Sequence, residues 1–240
     1  MSGSLRKIVV FLLVGAGAFA LAFGLGQLVG DETSPAGHGG HASEKPAPRY
    51  SVKLADSSLE AGEVELRLSV LDADGEPVTE YDVVHEKELH LIVVDREYPE
   101  VYQHLHPTFA DREWSVRTRL LAGDYRVYAD TTPTGAVAQV LTADLAVAGD
   151  SRPRVARTEP NDTASVDGFD VALEADGSTY TFTVTKAGQP VELEPYLGAG
   201  GHLVGTRRES LEYLHAHAMD AQRNTVGFHV EAPRSGTWVL

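Results

Sequence analysis

The chain has 240 residues, no cysteine, and 35 Asp and Glu against 20 Lys and Arg, for a formal net charge of −15. Without cysteine there are no disulfides, thiolate metal sites, thiol catalysis or lipidated lipoprotein cysteine, and the acidic balance argues against a nucleic-acid partner, which needs clustered Lys and Arg. Of two methionines only Met219 is internal, so a methionine-rich soft-metal site is excluded and any metal must be held mainly by histidine and carboxylate.

Residues 1–30 are expected to form a transmembrane anchor. Ile8 to Val29 is an apolar run with Gln27 its only strongly polar member, flanked by Arg6 and Lys7 before and Asp31 and Glu32 after. A helix needs about 20 residues to cross hydrocarbon, and positive charge at the N-terminal flank leaves the rest of the chain outside the cytoplasm. The alternative is a cleaved signal peptide, for which Ala18-Phe19-Ala20 offers a small-x-small site, giving a secreted body. Residues 31–49, rich in Ser, Pro, Gly and Ala and holding His38 and His41, read as a flexible linker.

From Tyr50 the pattern becomes short alternating stretches separated by Gly, Asp and Pro, which predicts an all-β fold without amphipathic helices. Strands are expected near Glu63–Leu71, Glu88–Val94, Val101–His106, Trp114–Leu120, Asp124–Tyr128 and Ala138–Val147 in a first domain, residues 50–148. After a linker over residues 149–168, a second domain, residues 169–240, repeats the pattern near Phe169–Leu173, Tyr180–Thr185, His202–Thr206, Glu212–His217 and Thr225–Glu231. Gly75-Glu76-Pro77-Val78 matches Gly188-Gln189-Pro190-Val191, and His90-Leu91 matches His202-Leu203. Tyr102-Gln103-His104-Leu105-His106 matches Tyr213-Leu214-His215-Ala216-His217, and Gly123-Asp124-Tyr125 matches Gly236-Thr237-Trp238, all in one order at nearly constant spacing. Two immunoglobulin-like β-sandwiches are the expected architecture. The second ends at Leu240 without a counterpart of Ala138–Val147, which reads either as truncation or as a sheet edge open to a protein partner.

The repeat carries histidine chemistry. A turn around Arg96 to Glu100 sets His90 opposite His106, and side-chain alternation puts His104 on the same face. The second copy pairs His202 with His217 and sets His215 beside them. A His-x-His pair with a third histidine from a neighbouring strand presents three nitrogens to Zn or Cu and leaves a position open. The expected metal ligands are therefore His90, His104 and His106, and His202, His215 and His217, holding a copper or zinc ion, with His85 and His229 near enough in the chain to add a ligand. Leu91, Val93 and Leu105 face the core from the other side of the hairpin, so the same histidines can instead serve a polar surface or an interdomain seam. Tyr102 and Tyr213 share the histidine faces.

His90-Leu91-Ile92-Val93-Val94 with His104-Leu105-His106-Pro107, and Gly201-His202-Leu203-Val204 with Tyr213-Leu214-His215-Ala216-His217, resemble the paired motifs of an uncharacterised family of exported actinobacterial proteins encoded near copper-handling genes. The chain is also similar, in architecture and compartment, to the immunoglobulin-like domains of bacterial copper-resistance proteins. The resemblance implies Cu(II) rather than Zn(II), which spacing alone does not separate. It departs at Ala218-Met219, where the first copy has Pro107. No nucleophile triad, phosphate loop or nucleotide turn occurs in a fitting context, so the chain is not expected to be an enzyme. Two functions remain: capture or transfer of copper or zinc outside the membrane, and a non-enzymatic structural or interaction module of the cell envelope.

Overall fold

A computed structural model describes residues 49–150, 159–230 and 235–240. The expected anchor, nearly all of the linker that follows it, and residues 151–158 of the linker between the repeats lie outside the described residues. Among the described residues the structure is all-β, and no helix is long and apolar enough to cross a membrane.

The first repeat comprises β1 (Ser51–Leu54), β2 (Ser58–Glu60), β3 (Gly62–Leu71), β4 (Leu89–Asp95), β5 (Tyr102–Leu105), β6 (Thr108–Ala110), β7 (Glu113–Leu120), β8 (Gly123–Thr131) and β9 (Gln139–Ala148). One sheet runs β1-β3-β7-β6 and the other β2-β9-β8-β4-β5. Alternation in β3 sends Leu66, Leu68 and Val70 inward, where they meet Leu91, Val93, Val127, Leu145 and the ring of Trp114 in one core shared by both sheets. The expected strands are all present, with ends displaced by at most a few residues. Short strands β1, β2 and β6 were not expected, being too brief to carry a period of their own.

The second repeat comprises β10 (Thr163–Val166), β11 (Phe169–Asp176), β12 (Thr179–Lys186), β13 (Gln189–Pro190), β14 (His202–Arg207), β15 (Tyr213–Gln222), β16 (Thr225–His229) and β17 (Trp238–Val239). They run β10-β11-β12-β16-β15-β14-β17, with β13 on β12. Phe169, Val184, Leu203, Ala216, Val226 and Phe228 belong to a second core. One stretch departs from expectation: the linker read over residues 149–168 contains β10. Asp167 and Gly168, with φ of 50° and 80°, form a tight turn that folds β10 back onto β11. Asp-Gly is the composition such a two-residue hairpin turn needs, and it marks the strand that polar composition conceals.

The pairings recur between repeats. β3 with β7 corresponds to β12 with β16, β4 with β5 to β14 with β15, and β4 with β8 to β14 with β17. The difference lies where the sequences depart. Pro107, which has no N–H to donate, separates β5 from β6, and the two pair with different sheets. With Ala218 in its place, β15 stays one strand: Tyr213–His217 pairs with β14, the register then shifts between Ala218 and Ala221, and the remainder pairs with β16.

Candidate metal centre at the seam between the repeats

Each histidine hairpin is covered on both sides. In β4 the odd-numbered Leu91 and Val93 enter the first core, while Ile92 and Val94 turn the other way and pack with Tyr128 of β8 and with Val204 of the second repeat. Every residue of β4 is accordingly buried. In the second repeat Leu203, Leu214 and Ala216 face their own core, whereas Val204 and Tyr213 join the cluster at the seam. The histidine faces of the two hairpins therefore look at each other. The seam is closed by the Tyr128 ring stacked on Tyr213 with centroids 4.9 Å apart, by the Tyr128 hydroxyl donating to the Leu211 carbonyl, and by an ion pair between Arg208 and Glu100. Apolar and aromatic groups hold one part of the seam and imidazoles fill another.

His90, His104 and His106 are brought together as the register predicts. Leu91 pairs with Leu105 and Ile92 with His104, so the ladder continued by one position sets His90 across from His106. One ring nitrogen from each of the three lies within 4.8 Å of the others. His90 Nδ1 is 3.2 Å from His104 Nε2, and the His106 ring centroid is 4.6 Å from that of His104 and 5.1 Å from that of His90. Two nitrogens bound at about 2.0 to 2.1 Å to a tetrahedral ion stand about 3.3 Å apart, so the His90–His104 separation already suits one edge of such a site.

The ring nitrogen turned away from the cluster is tied down in the same way in both repeats. His90 Nε2 bonds the Val84 carbonyl at 3.2 Å, and His202 Nε2 bonds the Tyr196 carbonyl at 2.7 Å. Both carbonyls open tight turns: Val84 and Lys87 exchange backbone hydrogen bonds around His85 and Glu86, and Tyr196 and Ala199 do so around Leu197 and Gly198. All four central residues have positive φ, between 51° and 72°. A carbonyl can only accept, so Nε2 carries the proton and Nδ1 keeps its lone pair for the seam. His215 is fixed differently, its Nδ1 paired with the Asp130 carboxylate, which leaves Nε2 as the coordinating atom. Among the described residues, His202 Nδ1 and His106 Nε2 are buried without a hydrogen-bond partner.

For the second expected set, His202 and His215 both line the seam, and the backbone of His217 pairs with that of His202 as expected. The His217 side chain lies outside what is described. His202 and His215 thus share one seam with His90, His104 and His106 rather than forming a separate surface. His85, which the sequence offers as a further ligand, reaches across to His202, with ring centroids 5.2 Å apart. His229 is exposed and bonds Ser178 Oγ, and Met219 is exposed on the strand that replaces the Pro107 corner. Asp130 was not foreseen. The signal was its place opposite His90 in the β4–β8 ladder, which sets its side chain on the histidine face.

Burial favours the neutral form of five of these imidazoles, His85, His90, His104, His106 and His202. Desolvation, then repulsion from His106, His90, His215 and His202, drives His104 down to about 2. Desolvation also lowers His90 to about 4, despite the Val84 carbonyl, and His106 to about 4 with help from Lys87. His85 and His202 move the same way, chiefly by burial. Neutral imidazole is the form that binds a metal, and His90, His104 and His106 are held in it at neutral pH.

A family model described as a domain of unknown function, DUF8832, matches residues 45–148 and 164–240. No curated protein matches the chain. Among solved structures the chain is similar to a crystal structure of S. aureus TarS, at 9% identity and a TM-score of 0.24 over 77% of this chain and 36% of that one. It is also similar to a structure of TarS residues 217–571, at 10% identity and a TM-score of 0.25 over 78% of this chain and 57% of that one. The chain thus spans less than two thirds of the length of either structure.

Proposed function

The chain belongs to the DUF8832 family, and we propose that it is an extracytoplasmic metal-binding protein that captures or passes a copper or zinc ion through its histidine hairpins. One observation carries the reading. His90, His104 and His106 offer three nitrogens within 4.8 Å of one another, and the outward nitrogen of His90 is held by a backbone carbonyl so that its inward lone pair is kept for a cation. The chemistry of the set supports a borderline ion that favours imidazole over a hard one that favours oxygen. Copper is preferred on the resemblance of the hairpin motifs to the exported actinobacterial family.

In this reading residues 1–30 anchor the chain in the membrane, the two repeats are immunoglobulin-like β-sandwiches outside it, and the ion is cargo or a structural bridge rather than a catalyst. A structural module of the envelope is the second reading, and the apolar contacts, ring stack and ion pair that close the seam favour it. Isothermal titration of the full chain with Zn(II), and with Cu(II), separates the two. The metal reading predicts a submicromolar equivalent that replacing His104 and His106 together by Ala removes while the fold is kept. Absence of binding at micromolar metal, or binding untouched by that double substitution, leaves the structural reading.

A further inference from the structure

The repeats are unequal at the seam. His85 stands at the first central position of its turn, where the second repeat has Leu197. Asp130 lies on β8 of the first repeat, across from His90 in the ladder with β4. Both of these residues of the first repeat are directed at histidines of the second. His85 meets His202 edge to face with centroids 5.2 Å apart, and Asp130 holds His215 by Nδ1. His202 and His215 stand diagonally on one face of the β14–β15 ladder, in which Val204 pairs with His215, so the three rings share one neighbourhood. His202 Nδ1 is buried there without a hydrogen-bond partner among the described residues. The left-handed backbone at His85, with φ of 52°, is a conformation that a non-glycine residue adopts at a cost, and it is what brings the ring to the seam.

We propose a second cation position spanning the seam, in which His85 of the first repeat joins His202 and His215 of the second around a Zn(II)- or Cu(II)-like ion, with Asp130 orienting His215. This rests on the metal-binding reading above and extends it. The first position draws its ligands from one repeat, whereas the second needs both, so an ion there ties the repeats together. The three ligand atoms are more widely spread than those of His90, His104 and His106, the set that gathers within 4.8 Å among the described residues. The ion draws them in, and the second position is the weaker of the two.

The test is calorimetric titration of the full chain with Zn(II) alone, comparing wild type with His85→Asn and Asp130→Asn. Asn suits the positive φ at position 85 and so keeps the turn while removing the ligand. Wild type takes up two equivalents. His85→Asn leaves the tighter one in place and weakens the other at least tenfold, and Asp130→Asn weakens the same one by about 10- to 100-fold, the usual effect of losing a carboxylate behind a ligating histidine. Leu197→Ala, in the equivalent turn of the second repeat, changes neither. A single equivalent in wild type, or a second equivalent indifferent to both substitutions, overturns the inference while leaving the first site intact. No binding at all removes the metal-binding reading and this extension together. Circular dichroism of each variant identifies any that fails to fold, and for such a variant His215→Gln serves as the replacement probe, with the same loss confined to the second equivalent.

Discussion

Acidifying the metal-free protein from pH 7.5 to pH 5 should destabilise it through its buried imidazoles. In the unfolded chain histidine titrates near 6.5, whereas burial lowers His90 and His106 to about 4 and His104 to about 2 in the folded protein. Between those values the unfolded chain binds the proton and the folded one does not, so stability is lost as pH falls through 6.5 and continues to fall toward the folded values. At pH 5 His90 and His104 each contribute a loss of about 2 kcal/mol, and the more open His106 contributes less because solvent screens it, together a large share of the stability of an ordinary domain. Most carboxylates remain ionised at pH 5, so this window belongs mainly to histidine. Urea unfolding in the presence of a chelator, followed by tryptophan fluorescence, measures the change, because Trp114 is buried in the first core. Replacing His104 by Leu should raise the stability at pH 5 relative to that at pH 7.5 by about 2 kcal/mol. A wild-type midpoint equal at the two pH values, or a pH dependence unchanged in that variant, refutes the burial and neutrality of the cluster.

Other outcomes follow from the seam. Ile92→Ala removes a fully buried side chain between the repeats and should cost about 2 to 4 kcal/mol in urea unfolding, while the first core, which Ile92 does not enter, keeps its near-ultraviolet Trp114 signal in the absence of denaturant. Tyr128→Phe keeps the stack on Tyr213 but strips the Leu211 carbonyl of its donor, for a loss of about 1 to 2 kcal/mol measured the same way. Bound metal should resist acid, because protons compete for His90 and His106 only near pH 4. A Zn(II)-loaded sample dialysed at pH 6 should retain its metal, and loss already complete at pH 6 would contradict the neutral cluster.

Much of the hairpin was legible because a strand has only two faces. Once the turn sets the register, His90, His104 and His106 must share a side, and His202 must stand across from His217. What covers that side is a tertiary fact that pairing does not specify. It was nevertheless written in Ile92, Val94 and Val204, apolar residues on the histidine faces that a solvent-exposed surface would not carry. Asp130 stayed hidden because β8 reads as a plain alternating strand, and only the ladder with β4 brings its carboxylate beside His90 and on to His215. β10 stayed hidden because a polar, exposed edge strand has no apolar period, leaving the Asp167-Gly168 turn as its one mark.

X-ray absorption at the metal edge of protein loaded with one equivalent of Zn(II) or Cu(II) reads the ligands of the first position themselves. His90, His104 and His106 should give three imidazole nitrogens at about 2.0 Å, with the multiple scattering of histidine rings, and the variant with His104 and His106 replaced by Ala should no longer take up this tighter equivalent. A shell of oxygens with at most one imidazole would contradict the three-histidine centre.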